Sequence, residues 1–489
     1  MNEPQARLRQ AEQEIFARRP EHAIEPTLDR IRALTALLGD PHRAYPVIHI
    51  TGTNGKTSTA RMIETLLRAR GLRTGLFTSP HLTSIRERIC VDGEPLSADR
   101  FADAYDEVKP YLALVDQGQP AALSFFEVLT AMAFAVFADA PVDVAVLEVG
   151  VGGTWDCTNV ADGAVAVVTP ISIDHVRYLG NTVQSIAGDK AGIIKPGAVA
   201  VLAQQPLDAA EVLLRRAAEV GATVAREGLE FGVTNRELAV GGQLVGVRGL
   251  LAGYHDLFLP LFGAHQASNA ACALAAVEAF AGASPTGGPD DAEGGPVALG
   301  DELVHSAFAM MSSPGRLEVV RRSPVVVVDA AHNPAGMAAT MAALTEAFAL
   351  SELVAILAVS EDKDVSGILD QLEPVVSELV VTDNSSPRSA RPDKLAELAT
   401  PVFGPDRVRA VARLDDAIEL AVGLADEIEA GLPEGGPPGT VLVLITGSVI
   451  TAGDARLLLT RAPSGEPAPG PASTGAGQHR RQDRPMPDD

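Results

Sequence analysis

The feature that most constrains the fold of this chain is a glycine-rich turn between an apolar run and a helix-like run. Residues 52–57 read Gly-Thr-Asn-Gly-Lys-Thr, residues 47–50 are mostly apolar, and residues 60–67 carry apolar side chains at helical spacing. The backbone N–H groups of such a turn and the positive end of the helix attract phosphate oxygens. The lysine reaches the terminal phosphates, and the hydroxyl after it ligates Mg²⁺. The sequence therefore predicts a strand–loop–helix unit that binds a nucleoside triphosphate.

The spacing of this loop distinguishes it from the most common phosphate loop. That form has a glycine five residues before the Gly-Lys pair, where this chain has Ile50. A coincidental glycine-rich turn is the weaker interpretation, because a strand-like run and a helix-like run flank the loop. The variant Gly-Thr-Asn-Gly-Lys-Thr resembles the loop of the Mur ligase superfamily, and this resemblance points away from nucleotide switches and motors and toward amide-forming ligases.

Composition excludes several classes of function. The formal net charge is −24, from 39 basic and 63 acidic residues, which argues against a general nucleic-acid-binding surface. Cys90, Cys157 and Cys272 lie far apart, as free thiols do in a reducing cytosol. The longest apolar stretch ends at Asp139, too short for a membrane span, and the N-terminus lacks the apolar core of a signal peptide. We expect a cytoplasmic monomer with small-molecule substrates.

The order of apolar runs predicts two α/β domains. Residues 1–44 indicate helices before the first strand, and runs at 142–147 and 165–169 indicate further strands of a mostly parallel sheet. Residues 230–259 alternate around a Gly-Gly turn, which predicts a small antiparallel patch before a helix near His265. A Rossmann-like α/β series follows, with strands at 325–328, 353–359, 379–382, 408–411 and 441–445.

Composition also places the domain boundaries. The first domain is predicted to cover residues 1–300, with a flexible low-complexity loop at 282–299, and the second to cover residues 312–461. Residues 462–489 are rich in proline, glycine, serine and charge, which predicts a disordered tail.

Three polar residues follow the predicted strands and helices of the first domain. Glu148 ends one strand, where a carboxylate beside a phosphate loop commonly holds Mg²⁺, although it could instead cap a nearby helix. His175 follows the next strand and is expected at the same edge of the sheet. Lys190 lies further along, and a single lysine is most often a solvated surface residue.

Short motifs recur in order along the chain, and the ordered set is far more specific than any one motif. They are 26–31 (Pro-Thr-Leu-Asp-Arg-Ile), 78–82, 87–89, 124–127 (Ser-Phe-Phe-Glu), 147–150, 174–175, 189–193, 314–318, 329–334 (Asp-Ala-Ala-His-Asn-Pro), 362–364, 386–388 and 446–448. From about residue 26 to about residue 454 the chain resembles the folylpolyglutamate synthases, which are commonly bifunctional as dihydrofolate synthases and belong to the Mur ligase superfamily.

The resemblance implies a P-loop ATPase-type central domain of the Mur ligases followed by a Rossmann-like glutamate ligase domain. It implies ATP and two Mg²⁺ ions as cofactors, and pteroate or folate and L-glutamate as substrates. The implied catalytic residues are Lys56, Glu148, His175 and Lys190. The implied metal ligands are Thr57, Ser79, Glu148, His175 and Lys190, the last as a carbamate.

The resemblance also implies how the substrates are held. The implied nucleotide-binding residues are Thr53, Asn54, Gly55, Lys56, Thr57, Asn269, Arg316 and Asp329. The implied substrate-binding residues are Arg30, Ser124, Phe125, Phe126, Glu127, Trp155 and Asp156 for the pteroyl group, with His332 and Ser386 near the incoming glutamate. The implied reaction activates a carboxylate as an acyl phosphate, which the amine of glutamate attacks in a site closed between two domains. The loop at 282–299 would lie near the hinge.

Two positions depart from the family pattern. Thr154 stands where the family usually has arginine, and Arg177 stands where it usually has an acid. Three explanations remain open: Arg177 replaces the missing cation in the same pocket, both changes are neutral, or the chain is a paralogue with another carboxylate substrate.

Two alternative functions also remain. A Mur-type peptidoglycan ligase would carry a UDP-binding domain before the phosphate loop, and only about 50 residues precede it here. A nucleotide-binding switch without chemistry would not need the second α/β domain.

Overall fold

The computed structural model describes residues 3–283, 298–432 and 440–460. Within them, the predicted two-domain α/β fold is confirmed. The first domain is built on an eight-stranded sheet in the spatial order β4-β3-β2-β5-β1-β6-β7-β8. Its strands are β1 Val47–Thr51, β2 Thr74–Phe77, β3 Ile89–Val91, β4 Glu94–Pro95, β5 Val144–Glu148, β6 Gly163–Val168, β7 Val199–Leu202 and β8 Thr223–Arg226. Six neighbouring strands run parallel, namely β2, β5, β1, β6, β7 and β8. Beyond β2, strands β3 and β4 continue the sheet with antiparallel pairing.

Helices cover both faces of this sheet. The α-helices of the domain are α1 Glu3–Phe16, α2 Asp29–Leu37, α3 Lys56–Ala69, α4 Ala98–Gly118, α5 Phe125–Asp139, α6 Val176–Leu179, α7 Val183–Lys190, α8 Leu207–Val220, α9 Ala264–Ala283 and α10 Asp301–Met310. Ile48 and Ile50 point into one apolar core with α3 and α9, whereas Val47 points into a second core with α4 and α5. Burial on both faces explains why the strands are continuously apolar rather than alternating.

A separate antiparallel sheet forms the predicted patch. It contains three strands, β9 Gly232–Ala239, β10 Gly242–Arg248 and β11 Gly253–Leu259, with β10 in the middle. Val240 and Gly241 join β9 to β10, and Gly242 begins β10, so the predicted hairpin turns at the Gly-Gly pair. The buried carboxylate of Glu278 on α9 accepts hydrogen bonds from the backbone of Leu250 and Leu251, which fixes the turn before β11.

The second domain has a six-stranded sheet in the order β12-β13-β17-β14-β15-β16. Its strands are β12 Glu318–Arg322, β13 Val325–Val328, β14 Glu352–Leu357, β15 Glu378–Val381, β16 Val408–Ala410 and β17 Val441–Thr446. Its helices are α11 Pro334–Ala347, α12 Val365–Leu372, α13 Pro392–Phe403, α14 Leu414–Gly431 and α15 Val449–Thr460. Five strands are parallel and agree with the predicted positions, while the antiparallel edge strand β12 escaped the sequence analysis.

Short 3-10 helices complete the described structure, at Pro41–Arg43, Ile85–Arg88, Cys157–Val160, Ala191–Ile193 and Pro405–Arg407. The predicted strand at 142–147 begins two residues later and includes Glu148, because residues 141–143 form the turn after α5. The three cysteines are free and buried, as expected.

The helix α10 corrects the predicted domain boundary. The sequence left residues 301–311 outside both domains, but Val304 and Phe308 are fully buried in the core of the first domain with α3 and α9. The predicted loop at 282–299 also begins later, since α9 continues through its alanine-rich stretch to Ala283. Residues 284–297 of that loop, and the predicted tail at 462–489, lie outside the described residues.

The two domains contact each other through several side chains. The hydroxyls of Ser58 on α3 and Ser313 lie 2.9 Å apart. Arg236 of β9 forms an ion pair with Glu346 of α11. The rings of Phe262 and Phe348 lie 5.2 Å apart between their centroids. These contacts hold the second sheet opposite the carboxyl ends of the first, with a cleft between them.

Candidate active site

One cleft of about 850 Å³ lies between the domains and is lined by both of them. Its floor in the first domain is the edge where β1, β5 and β6 end. These strands are parallel neighbours in the order β5-β1-β6, so their carboxyl ends meet at this edge. The loop after β1, Glu148 at the end of β5 and His175 beyond β6 all line the cleft.

The glycine-rich loop adopts a conformation that only glycines tolerate at two positions. Gly52 has φ +146° and Gly55 has φ +89°. A Cβ on Gly52 would lie 1.8 Å from the hydroxyl of Thr169, and one on Gly55 would lie 2.6 Å from Oδ1 of Asn269. The helix α3 begins at Lys56 directly after this turn, so its positive end faces the cleft. The predicted strand–loop–helix unit is therefore present, and the loop has a shape that could cradle phosphates.

Lys56 lies over its own loop. Its Nζ donates to the carbonyl of Gly52 at 3.2 Å and to that of Thr53 at 3.1 Å. Burial lowers the pKa of Lys56, an effect that the charges of Glu148 and Asp174 oppose. A buried ammonium that has only carbonyl partners is ready to exchange them for phosphate oxygens.

Glu148 connects three of the predicted metal ligands. Its Oε1 accepts a hydrogen bond from the hydroxyl of Thr57 at 2.9 Å, and its Oε2 accepts one from the backbone N–H of Ser79 at 3.2 Å. Burial raises the pKa of Glu148, with Lys56 as the main opposing charge. The carboxylate of Glu148 and the hydroxyl of Thr57 thus lie together, and oxygen is the ligand type that Mg²⁺ prefers. Among the residues that the structure describes, no group of three His, Cys, Asp or Glu side chains could hold a metal.

His175 and Asp174 begin the short helix α6 at the floor of the cleft. Burial lowers the pKa of His175 to about 3, so its ring is neutral at physiological pH. Asp174 makes an ion pair of 2.6 Å with Lys363 of the second domain. Burial alone would raise the pKa of Asp174, but His332, whose Nε2 lies 3.6 Å from Oδ2, and the charge of Lys363 hold it well below its usual range.

Lys190 lies behind the phosphate loop rather than on the cleft wall. It is 4% exposed, and its Nζ donates to the carbonyl of Gly52 at 2.7 Å. Burial lowers the pKa of Lys190 to about 7. Lys190 and Lys56 thus share the carbonyl of Gly52, which links Lys190 to the loop.

Asn269, Arg316 and Asp329, which the resemblance implies as nucleotide-binding residues, line the cleft. The amide of Asn269 on α9 donates to Oε1 of Gln266 at 3.2 Å and lies directly against Gly55. Asp329 accepts hydrogen bonds from the backbone N–H groups of Leu317 and Ala331 at 3.0 and 2.9 Å. The carboxylate of Asp329 therefore shapes the loop that carries Arg316.

The predicted pteroyl-binding residues divide into two groups. Ser124 and Glu127 form a capping box at the start of α5, and Glu127 makes a buried ion pair of 2.9 Å with Arg30. Phe126 lines the cleft, but Phe125 does not: it is 5% exposed, belongs to the apolar core under α4 and α5, and stacks on the exposed ring of Phe16. Successive residues of a helix cannot face the same side, which explains the difference.

Trp155 and Asp156 both line the cleft. Asp156 is buried, and its Oδ2 accepts hydrogen bonds of 3.1 Å from the backbone N–H groups of Gly150 and Val151. Burial raises the pKa of Asp156. The carboxylate thus holds the turn after β5 that presents Trp155.

His332 lines the cleft, with its Nδ1 2.9 Å from the carbonyl of Ala330. Ser386 does not line the cleft, and its hydroxyl accepts a hydrogen bond of 3.2 Å from the backbone of Arg388. Arg388 itself reaches the cleft wall. Within the motif at 386–388, Arg388 therefore lies at the cleft, whereas Ser386 lies outside it and bonds to the backbone of Arg388.

Models of two protein domains match the chain over this architecture. The Mur ligase middle domain matches residues 50–277, and the Mur ligase glutamate ligase domain matches residues 315–448. A dihydrofolate synthase/folylpolyglutamate synthase of Mycobacterium tuberculosis is 50% identical over 472 residues, which cover 94% of this chain and 95% of the relative. The chain belongs to the folylpolyglutamate synthase family of the Mur ligase superfamily.

Other relatives and solved structures agree with this membership. A dihydrofolate synthase/folylpolyglutamate synthase of Bacillus subtilis is 31% identical, covering 88% of this chain and 95% of the relative. The structure of Mycobacterium tuberculosis folylpolyglutamate synthase complexed with ADP has a TM-score of 0.87 at 50% identity, covering 94% of this chain and 100% of that one. E. coli FolC in complex with DHPP and ADP has a TM-score of 0.77 at 27% identity, covering 92% and 97%.

Some cleft residues of this folylpolyglutamate synthase family member were not selected from sequence. Asp174, Asn333 and Lys363 line the cleft, and the side chains of Asn333 and Lys363 in the second domain donate hydrogen bonds to the carboxylate of Asp174 in the first. Each residue belongs to one of the family motifs, at 174–175, 329–334 and 362–364, but nothing in the sequence shows that these three motifs meet in space. None of the helices in the described parts of the chain is long and apolar enough to cross a membrane.

The two departures from the family pattern lie in different surroundings. Arg177 lines the cleft and lies over the ring of Tyr178, with the guanidinium 5.5 Å from the ring centroid. Thr154 lies outside the cleft lining and donates to the carbonyl of Asp189 at 2.8 Å. The hypothesis that Arg177 replaces a missing cation stays a prediction.

Proposed function

We propose that this chain is an ATP-dependent ligase that adds L-glutamate to dihydropteroate or to reduced folates and releases ADP and phosphate. The observation that carries the proposal is the composition of the cleft. A phosphate loop, a strand-end carboxylate and a second domain bearing Arg316 and His332 all face the same space. Relatives over nearly the full length are named dihydrofolate synthase/folylpolyglutamate synthase, and solved relatives contain ADP.

The first domain binds the phosphates of ATP. Backbone N–H groups at the start of α3 and the ammonium of Lys56 face the γ-phosphate, and Arg316 approaches from the other domain. Cations from both sides stabilise charge that spreads over the transferred phosphoryl group. Asn269 supports the turn at Gly55 and keeps the cradle in shape.

Thr57, Ser79 and Glu148 would hold a Mg²⁺ ion. The hydroxyl of Thr57 and the backbone N–H of Ser79 both lie against the carboxylate of Glu148 beside the loop, and a single carboxylate is sufficient because Mg²⁺ keeps water and phosphate ligands. When bound, the ion neutralises phosphate charge during transfer. His175 is neutral and is available as a nitrogen ligand. A second ion with Lys190 is a further part of the proposal, and it requires the Lys190 side chain to leave the carbonyl of Gly52.

The reaction proceeds in two steps. A carboxylate oxygen of the pteroyl substrate attacks the γ-phosphorus of ATP, the bond to ADP breaks, and an acyl phosphate forms. The neutral amine of glutamate then attacks the acyl carbon, and phosphate leaves with one oxygen of the original carboxylate. The amine loses a proton in this step, and the cleft between the domains keeps water from the acyl phosphate.

The pteroyl group is proposed to bind at the end of the cleft formed by Phe126 and Trp155. These aromatic side chains offer flat apolar surfaces, and the ion pair of Arg30 with Glu127 lies beside them. Glutamate is proposed to enter on the side of His332 and Arg388, where the second domain supplies positive charge for its carboxylates.

A steady-state assay of ADP release tests this function. We expect release that requires both glutamate and a pterin carboxylate, with dihydropteroate and tetrahydrofolate compared in parallel. A Mur ligase precursor serves as the control substrate and should give no release above background. ADP release that is indifferent to both glutamate and pterin would refute the ligase proposal and favour a nucleotide switch.

A further inference from the structure

The side-chain amides of Asn54 and Asn333 face each other across the cleft. Asn54 lies in the phosphate loop, and Asn333 precedes α11 in the second domain. Nδ2 of Asn333 donates to Oδ1 of Asn54 at 3.0 Å, and Nδ2 of Asn54 donates to Oδ1 of Asn333 at 3.2 Å. This reciprocal pair joins the nucleotide-binding loop directly to the second domain.

Every hydrogen-bonding position of the Asn333 amide is used. Besides its two bonds with Asn54, its Nδ2 donates to Oδ2 of Asp174 at 3.1 Å, and its Oδ1 accepts from the backbone N–H of Gly336 at 2.8 Å. An amide offers two donors and two acceptor sites, so the set is complete. Three of the four bonds reach the first domain, and the side chain is only 3% exposed.

Helix capping alone does not explain an asparagine at this position. The bond to Gly336 is the cap of α11, and it needs one oxygen that serine, threonine or aspartate would supply equally well. The two donors are what an amide adds, and both of them point into the first domain. Asp174, which receives one donor, also pairs with Lys363 of the second domain at 2.6 Å.

We propose that Asn54 and Asn333 are positioning residues that set the phosphate loop against the second domain. The proposal rests on the ligase function proposed above. In this role the side chain of Asn54 binds the second domain, while the backbone N–H groups of the loop bind the phosphates of the nucleotide. Lys56 follows two residues later, so the pair aligns the loop's cation with Arg316 and His332 on the opposite wall.

The consequence is a specific kinetic pattern. Removing one amide leaves its partner without the two bonds that they share, so the loop and the second domain lose their shared alignment. The alignment matters for the transition state, which contacts both domains, more than for ATP binding to the loop backbone. We therefore expect kcat to fall while the KM for ATP stays within about twofold.

The experiment compares Asn54→Ala, Asn333→Ser and the double variant in the glutamate-dependent ADP assay. Serine keeps an oxygen for the helix cap but is too short to reach Asn54. Each single variant should lose about tenfold in kcat, and the double variant should lose no more than the worse single, because both remove one shared contact. Asn235→Ala, an exposed amide on β9, is the matched control and should keep wild-type kcat.

Three results would overturn the proposal: wild-type kcat in either single variant, losses that multiply in the double variant, or a raised KM for ATP with kcat intact. Thermal unfolding of each variant identifies any that is unfolded at the assay temperature. Asn333→Asp then replaces Asn333→Ser, with the same expected loss, because it keeps the cap but sets a carboxylate beside Asp174. Wild-type protein without glutamate-dependent turnover would instead refute the ligase function itself.

Discussion

At the scale of single residues, ionisable side chains are buried at the carboxyl edge of the first sheet. Lys56, Glu148 and Lys190 each lose hydration there, and the structure compensates with carbonyl oxygens, a hydroxyl and opposite charges. Such an arrangement is costly to maintain, and shifted pKa values of this kind cluster at functional sites.

Lys56 provides the most direct prediction at this scale. Lys56→Ala should reduce the rate of glutamate-dependent ADP release on the order of 10²-fold to 10³-fold, since one preorganised cation at the phosphoryl group is lost. Steady-state kinetics at saturating ATP measures the change. Lys394→Ala, which removes an exposed lysine from α13, should retain the wild-type rate. Near-normal turnover of Lys56→Ala would contradict the nucleotide site.

His49, which lies outside the cleft lining, predicts a pH dependence of stability. It lies in the middle of β1, fully buried, with its Nε2 2.9 Å from the hydroxyl of Thr158. Burial, helped by the charge of Lys195, lowers its pKa from 6.5 to about 3. Between these values the unfolded chain binds more protons than the native one, so the free energy of unfolding falls as the pH falls from 6.5 toward 3.

The variant His49→Gln isolates this contribution. Relative to the variant, the wild type should lose up to about 1.4 kcal/mol per pH unit below pH 6.5. Urea unfolding of both proteins at pH 7, 6 and 5 measures the difference. Equal slopes for the two proteins would show that His49 does not titrate on unfolding in this range.

Much of the site at the residue scale follows from local sequence. Gly55, Lys56 and Thr57 were predictable because a phosphate loop is a contiguous segment. Phe125 was assigned to the cleft because its motif continues through Phe126, but the turn of α5 directs it into the core. Asn333 was not selected, because its partner Asn54 is 279 positions away and no local pattern records that distance.

At the scale of elements, the parallel order β5-β1-β6 determines which strand ends meet. Apolar runs predicted these strands, and the general rule for open α/β sheets placed the ligand at their carboxyl ends. Strands β3 and β4 escaped prediction because they are only three and two residues long, and the edge strand β12 escaped because it is largely exposed. Helix α10 lay beyond a low-complexity stretch, which hid its packing against the first domain.

The helix α15 makes a close contact between domains that predicts an element-scale effect. A Cβ on Gly453 would lie 1.9 Å from the carbonyl oxygen of Leu82, in the loop that carries Ser79. Neither backbone can yield easily, so Gly453→Ala should displace the loop or separate the domains. We expect at least a tenfold loss of kcat, about 1.4 kcal/mol, with the fold of each domain retained.

Gly423→Ala is the matched control for this prediction. Gly423 lies inside α14, where a Cβ would meet nothing within 4 Å. Alanine there should keep wild-type activity and raise the free energy of unfolding by about 0.5–1 kcal/mol, because alanine favours the helix. Activity assays and thermal unfolding compare the two variants. Wild-type kcat in Gly453→Ala would show that the contact with Leu82 is not needed for catalysis.

At the scale of the whole molecule, function depends on two domains that meet over one cleft. The first domain supplies the phosphate cradle and the proposed metal ligands, and the second supplies Arg316, His332 and the anchor Lys363 for Asp174. Neither domain alone contains a complete site for making an amide. The sequence predicted both domains but not how they face each other, since that depends on contacts between distant motifs.

The central claim is that both domains act on an acyl phosphate, and oxygen transfer tests it most directly. The pteroyl substrate is labelled with ¹⁸O in its reacting carboxylate and incubated with the protein, ATP and glutamate, and the released phosphate is examined by mass spectrometry. The account predicts one ¹⁸O atom in each phosphate released, because phosphate leaves with a carboxylate oxygen. Phosphate without ¹⁸O, formed at the same rate as the amide product, would contradict it.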